Sequence, residues 1–371
     1  MKFEPKIENF TRYVQGANFR FLDAMEDLVR IRDHNGEILF ENKSMRDLIE
    51  NLIIKNKRRL ISPQLFLELY EKRKQGKDLL KREVNIDGKL YSINASPIYN
   101  DIGDLEGYIE VFRDITSERN TTKQLYIANR KINEDIQMAK KIQKSILPKK
   151  KKYKNISFQF AHVPSDNLSG DVFDVIEITK NKFGIYIADV VGHGISASIM
   201  TMFIRQSMRS IVQEDENLSP SETIQELKSM FSQLNLDISQ YFTIVYMVMD
   251  TDKKLLKYVN AGHNCAPILF NSSRLGFLQN CGYFISNLFE NVKFNEKELY
   301  LNKGDKILIY TDGLTETTNY SGEFFGEDRL VKWIRKNRNE KQFVKKLINE
   351  VEIFRYNKQV DDIAILYLEL I

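Results

Sequence analysis

Cysteine is nearly missing from this sequence. Its 371 residues hold two, Cys265 and Cys281, in no Cys-x-x-Cys pair. Neither a disulfide framework nor a thiolate zinc site is expected, and the composition suits a reducing compartment. Histidine is almost as scarce, with His34, His162, His193 and His263 scattered along the chain. Long apolar runs are missing too. No stretch approaches the roughly 18 residues that would span a bilayer, and the opening MKFEPKIENFTRY puts charges where a signal peptide needs an apolar core. An excess of one charge is also lacking. The 55 basic residues nearly balance the 51 acidic ones and leave +4, which argues neither for nor against a polyanionic partner. No basic recognition element stands out. A cytoplasmic protein with no membrane span and no nucleic-acid partner is expected.

What is present is an ordinary apolar fraction, 42%, enough for a sizeable core. The length predicts two or three domains. Patterning divides the chain into a lead-in (1–16), a mixed region (17–118), a polar helix (119–150) and a second mixed region (151–371), an α+β multidomain architecture.

Within 17–118, DLVRIRDHNGEILFEN (27–42) and REVNIDGKLYSINASPIYN (82–100) each read as strand, turn, strand, with turn chemistry at Asp33 to Gly36 and at Asp87-Gly88. DLEGYIEVFRDIT (104–116) reads as a further strand. Leu48, Ile49, Leu52, Ile53, Leu65, Leu67 and Leu69 give helical periodicity between 42 and 74. This order of elements resembles a PAS domain, and so do Asp-x-x-Gly-x-Ile-x-x-x-Asn (33–42) and the closing Arg113-Asp114-Ile115-Thr116. The resemblance implies a sensor that binds a ligand of unidentified kind or dimerises. GANFRFLDA (16–24) is similar to the flavin-binding motif of light-sensing members, but Phe19 stands where the adduct-forming cysteine would be, and the segment precedes the first strand. A helical lead-in with Phe19, Phe21 and Leu22 packing inward is expected instead. His34 is expected to be a solvated turn residue.

Neither proline nor glycine occurs between 117 and 147, so one long helix is predicted there. Leu125, Asn129, Ile132, Ile136, Ala139, Gln143 and Ile146 alternate by four and three, a heptad seam. A parallel homodimeric coiled coil is favoured over packing on its own domain. Asn129 and Gln143 would be polar seam residues, able to fix the register or to let it shift. The basic run KKKKYK (149–154) reads as solvated linker.

The second mixed region places aspartates at strand ends. FGIYIA (183–188) runs into Asp189, then a Gly192-His193-Gly194 turn and a helix start. DKILIY (305–310) runs into Asp312-Gly313. Asp361 and Asp362 precede the apolar run IAILYLEL, and Asp171 follows Gly170 ahead of VFDVIEI, with Asp174 three residues on. Each feature alone is common turn chemistry. Together they form a pattern, because antiparallel strands can bring such ends to one rim. Packed carboxylates repel and protonate unless a cation intervenes. With only oxygens on offer and no Cys/His cluster, Mg2+ or Mn2+ suits better than zinc or copper.

GDVFD, ADVVGHGISAS, NAGHNCAP, YTDGLTE and DDIAIL occur in the order found in PPM-type metal-dependent serine/threonine protein phosphatases, and the chain resembles their SpoIIE-like branch over 155–371. AKKIQKSILP (139–148) is similar to the helix that precedes the catalytic domain there. The resemblance implies a β-sandwich flanked by helices with two Mn2+ or Mg2+ ions at one edge. By motif, Asp189 would bridge both ions, the carbonyl of Val190 would ligate one, and Asp312 and Asp361 would hold the other. Asp171 would bind an ion or its water, with Asp362 and Asp174 behind. The ions would activate a water that attacks phosphoserine or phosphothreonine, so no protein nucleophile is needed. His193 and His263 are assigned to turns, and Ser196 and Ser198 to close helix packing. Gly192 and Gly194 would let the turn fold tightly.

The chain departs from the family pattern at Ser169-Gly170, at Val190, at Cys265 within AGHNCAP and at Ala364, where a hydroxyl is lost. None of these removes a carboxylate. No arginine is placed to bind phosphate. The resemblance further implies a phosphorylated anti-sigma-factor antagonist as substrate, in a partner-switching pathway, with the sensor acting through helix register or dimer packing. The rival reading is a catalytically weak or inactive phosphatase-fold scaffold, which the retained aspartates oppose. A nucleotide-cyclase output would need signature loops that are not found.

Overall fold

In the computed structural model, residues 19–55, 80–148, 152–153, 155–289 and 291–371 are described, and the expected lead-in over 1–16 lies outside them. The chain divides into two units after Lys131. That point falls inside a helix, not at either of its ends.

In the first unit both expected hairpins form. The Asp33 carboxylate accepts the backbone N–H groups of Asn35 (2.9 Å) and Glu37 (2.8 Å), so β1 (Leu28–Asp33) turns back as β2 (Ile38–Glu41). Asp87 and Gly88 both take positive φ, 50° and 87°, between β3 (Leu80–Ile86) and β4 (Lys89–Tyr99). With β5 (Leu105–Asp114) they make one antiparallel sheet in the order β2-β1-β5-β4-β3. Helix α1 (Lys43–Ile54) is started by Asn42, whose buried side chain accepts from Met45 and Val29 N–H, each at 3.0 Å, and donates to the carbonyls of Leu22 and Asp27. Met45 and Leu52 pack on Leu28, Ile93 and Phe112 with Leu48 and Ile49 beside them, while Ile53 is exposed. Leu65, Leu67 and Leu69 lie outside the described residues. In the 3-10 turn Phe19–Ala24, Phe19 meets Phe40 at 5.4 Å and Leu22 is buried, but Phe21 is 66% exposed. Inward packing of Phe21 is therefore corrected, because at three residues per turn Phe19 and Leu22 share a face and Phe21 does not.

Helix α2 (Thr116–Ile146) is continuous, as the missing breakers predict. Its seam positions differ in environment: Leu125, Asn129 and Ile132 are exposed, whereas Gln143 is buried within the second unit. Placing Gln143 in an intermolecular seam is thus corrected, since its side chain is spent inside its own unit.

The second unit is built on two six-stranded antiparallel sheets. One joins β8 (Asp171–Thr179), β9 (Lys182–Val190), β10 (Tyr241–Asp250), β11 (Leu255–Ala261) and β15 (Glu296–Tyr300), with β14 (Ile285–Ser286) on β10. The other runs in the order β13-β12-β16-β17-β7-β6. Its strands are β6 (Lys152–Tyr153), β7 (Ile156–Val163), β12 (Ile268–Phe270), β13 (Leu275–Phe277), β16 (Lys306–Tyr310) and β17 (Ile363–Leu370). Central strands such as β9, over 183–188, and β16, over 307–310, carry continuous apolar runs because both of their faces are covered. Between the sheets pack Phe173, Ile187, Val245, Met247, Ile309 and Leu366. The outer face of the first sheet takes α3 (Ile195–Glu214) and α4 (Pro220–Ser232). The outer face of the second takes α6 (Gly326–Asn337) and α7 (Phe343–Phe354). The result is a β-sandwich flanked by helices. Among the described residues no helix is long and apolar enough to cross a membrane.

Candidate active site

The acidic strand ends meet at one rim of the sandwich. Asp171, the first residue of β8, lies directly opposite Asp189 on β9, and Asp189 lies opposite Thr243 on β10. Directly opposed residues project from the same face of a sheet. The second sheet brings Asp312 from α5 (Asp312–Thr315), which starts two residues past the end of β16, and Asp361 and Asp362 from the approach to β17. Asp189, Val190, Asp312 and Asp361 line a cavity of about 550 Å³, and Asp171 is buried (3% exposed).

Glycines set how closely these segments approach. A Cβ on Gly313 would overlap the carbonyl oxygen of Asp362, and one on Gly170 would lie 3.1 Å from the Val190 oxygen and 3.2 Å from that of Gly192. Gly192 and Gly194 take φ of 87° and 82°, which lets β9 turn sharply into α3.

Polar neighbours fix the carboxylates. The Thr311 hydroxyl donates to Asp171 Oδ2 (2.7 Å) and accepts the Ala364 N–H (2.9 Å). Asn264 Nδ2 donates to Asp312 Oδ2 at 2.8 Å. Asp362 Oδ1 accepts from the N–H (2.6 Å) and hydroxyl (2.9 Å) of Ser165, and its Oδ2 accepts the Gly170 N–H (2.7 Å). Asp362 therefore braces the loop ahead of Asp171, in keeping with its expected place behind the rim. Asp174 does not share that place. It pairs with Arg209 (2.7 Å) and Arg205 (3.3 Å) on α3, because a residue three along a strand from Asp171 faces the opposite side.

Electrostatics follow from this crowding. Burial, and then repulsion from Asp312, Asp361 and Asp362, pushes the Asp189 carboxyl up to about 8. Burial and the Asp189 charge raise Asp171 well above the usual carboxylate range, against the opposing hydrogen bond from Thr311. Partial burial, then Asp312 and Asp362, raise Asp361. Burial lifts the Cys265 thiol far up, away from a thiolate role. Burial also holds His263 neutral. Its Nε2 lies 3.0 Å from the Tyr310 carbonyl and must carry the proton, so Nδ1 accepts from the Thr243 hydroxyl at 3.2 Å. His263 is thus a bridge between the sheets. His193 sits exposed in its turn and lines the cavity, while His162 is committed to the Asp171 carbonyl at 3.3 Å. Of the two serines assigned to helix packing, Ser198 is buried but Ser196 is exposed, a correction that follows from the start of α3 facing the solvent.

The donor set suits a hard divalent cation: carboxylate and carbonyl oxygens whose mutual repulsion a cation relieves. Among the described residues no three His, Cys, Asp or Glu side chains stand close enough to enclose one ion. Mg2+ ordinarily takes only one or two carboxylates and keeps several waters. Among the described residues lining the cavity, Lys358 brings the only ammonium. Sequence reasoning missed Thr311, Asn264, Ser165 and Asp166, the last a further carboxylate on the cavity wall. Thr311 and Asn264 lie inside the quoted YTDG and NAGHN motifs; the hydroxyl of Thr311 beside Asp312 was an available signal, whereas no acid adjoins Asn264 in the sequence.

Residues 179–371 match the family described as Stage II sporulation protein E (SpoIIE). Phosphoserine phosphatase RsbP of Bacillus subtilis (strain 168) is 30% identical over 188 residues, covering 50% of this chain and 46% of that protein. Phosphoserine phosphatase RsbU of the same organism is 26% identical over 192 residues, covering 52% and 56%. The chain spans about half the length of these curated relatives. Among solved structures, the SiaA-PP2C domain of Pseudomonas aeruginosa aligns with a TM-score of 0.59 at 19% identity, over 66% of this chain and 99% of that one. The sandwich is therefore of the PP2C type.

Proposed function

From the premise that the chain belongs to the stage II sporulation protein E (SpoIIE) family, we propose that it is a metal-dependent protein serine/threonine phosphatase acting on phosphoserine. The observation that carries this reading is the convergence of Asp189, Asp312 and Asp361 on one cleft from three separate stretches of chain, with the buried Asp171 directly opposite Asp189 on the next strand. Two Mn2+ or Mg2+ ions, when bound, would activate water and neutralise phosphoryl charge. Asp189, the Val190 carbonyl, Asp312 and Asp361 would hold them, and Asp171 would bind an ion or its water. Asn264 orients the Asp312 carboxylate, and Thr311 orients that of Asp171. Lys358 offers an incoming phosphate a positive charge at the cavity wall.

The substrate proposed is a phosphorylated anti-sigma-factor antagonist in a partner-switching pathway, a reading supported by the likeness to two phosphoserine phosphatases. The first unit is proposed to be a PAS-type sensor, on the strength of its strand order β2-β1-β5-β4-β3. Dimerisation through α2 is supported by the exposed Leu125 and Ile132. A cytoplasmic location completes the proposal.

Phosphate release from a phosphoserine antagonist protein, with and without Mn2+, tests this. Turnover should require the metal. Asp189→Asn and Asp312→Asn should each lower kcat at least ~100-fold, the scale on which a lost electrostatic stabiliser acts, with unchanged circular dichroism. Near-native rates in either variant would sink the assignment of ligands.

A further inference from the structure

We infer that Gln143, carried by α2, is a positioning residue for the carboxylate rim. This deepens the proposed function and rests on it.

Gln143 is 5% exposed, and its amide brackets one residue of backbone. Oε1 accepts the Ser169 N–H at 3.1 Å and Nε2 donates to the Ser169 carbonyl at 2.7 Å. A neighbouring strand would ordinarily supply that pair of bonds, and one side chain supplies both. Nε2 also reaches the Thr201 hydroxyl oxygen on α3 at 3.4 Å, and that hydroxyl donates to the Ser198 carbonyl at 2.7 Å. Ser169 and Thr201 are both fully buried, so water cannot replace a lost partner, and a buried peptide group without one is costly.

The bracketed residue leads straight into the site. The Ser169 hydroxyl accepts the Asp171 N–H at 3.0 Å. Gly170 next to it donates to Asp362 and accepts the Val190 N–H at 3.1 Å. Residues 169–171 are thus tied at once to α2, through Gln143 to α3, to the acidic approach of β17 and to the end of β9. Gly170 sits against the Val190 and Gly192 oxygens, with little room to shift alone. A displacement of Ser169 must therefore move Asp171 and Val190 relative to Asp189 and Asp312. Gln143 touches no reacting group; it acts through this backbone. Partners standing behind metal ligands typically change metal affinity 10- to 100-fold when removed.

The test uses the full chain and the variants Gln143→Ala, Gln143→Glu and Ile142→Ala. Ile142 is on the same turn of helix and 42% exposed. Gln143→Glu keeps an acceptor for the Ser169 N–H but offers no donor to its carbonyl. Three readings are taken: Mn2+ affinity by calorimetric titration, kcat and KM for the phosphoprotein, and amide hydrogen exchange over 168–171 without metal. Gln143→Ala and Gln143→Glu should weaken Mn2+ binding at least ~10-fold, lower kcat with little change in KM, and speed exchange over 168–171. Ile142→Ala should match the parent chain. Unchanged exchange and unchanged Mn2+ affinity in both Gln143 variants would overturn the inference even if they melt earlier. A parent chain that binds no Mn2+ would overturn the proposed function, and the exchange measurement would still judge the role of Gln143.

Discussion

At the scale of single residues the site is a set of acids held where water would not leave them charged. Asp189 carries the clearest consequence. Its folded-state pKa, about 8, lies above its ordinary value, so the folded chain binds a proton that the unfolded chain releases. The stabilisation is present in full below the unfolded pKa near 4 and is lost as pH rises through about 8. Without metal, the second unit should melt at progressively lower temperature from pH 5 to pH 9, and Mn2+ at pH 8 should restore it. A flat metal-free profile in calorimetry would contradict this account. The acids themselves were legible in the sequence because each stands at one end of an apolar run, and all but Asp189 lie beside a glycine or a second acid. Their supports were not. Thr311 and Asn264 reach their carboxylates only after two sheets have closed, and no local spacing encodes that. Asp174 was legible and misplaced: strand parity alone puts it on the face away from Asp171, where Arg205 and Arg209 hold it.

At the scale of elements, turns and close approaches decide the geometry. Gly313, the second residue of the one-turn helix α5, has no room for a side chain against Asp362. Gly313→Ala should cost ~1–3 kcal/mol of stability, the scale of an overpacked site, and should lower phosphatase activity by about tenfold or more. Chemical denaturation and phosphate release check the two parts, and a fully active Gly313→Ala chain would show that the approach of Asp312 to Asp361 is not critical. Helix α2 shows the limit of periodicity as evidence. The absence of proline and glycine predicted one continuous helix, and the helix runs unbroken from Thr116 to Ile146. Spacing cannot name what covers a stripe, and at Gln143 the cover is the Ser169 backbone of the same unit.

At the scale of the whole molecule, the hairpins of the first unit followed from alternation and turn residues, and the sandwich of the second from the family resemblance that its ordered motifs carry. Sheet order did not, since pairing between β5 and β1, or between β17 and β7, depends on long-range closure. The remaining question of assembly is testable. If Leu125 and Ile132 face a second copy, the parent chain should sediment as a dimer and the Leu125→Glu/Ile132→Glu chain as a monomer with unchanged helix content. A monomeric parent chain would remove the dimer from the proposal.

The carboxylates come from two sheets, Asp171 and Asp189 from one and Asp312 and Asp361 from the other, bridged by Thr243, His263 and the Tyr310 carbonyl. Such a pair of sheets works as a caliper, with Phe173, Ile309 and Leu366 as the spacer that sets the jaw. A methyl group added or shaved deep in that filling would surface as an altered preference between a smaller and a larger ion, at a place no reagent in solution can reach.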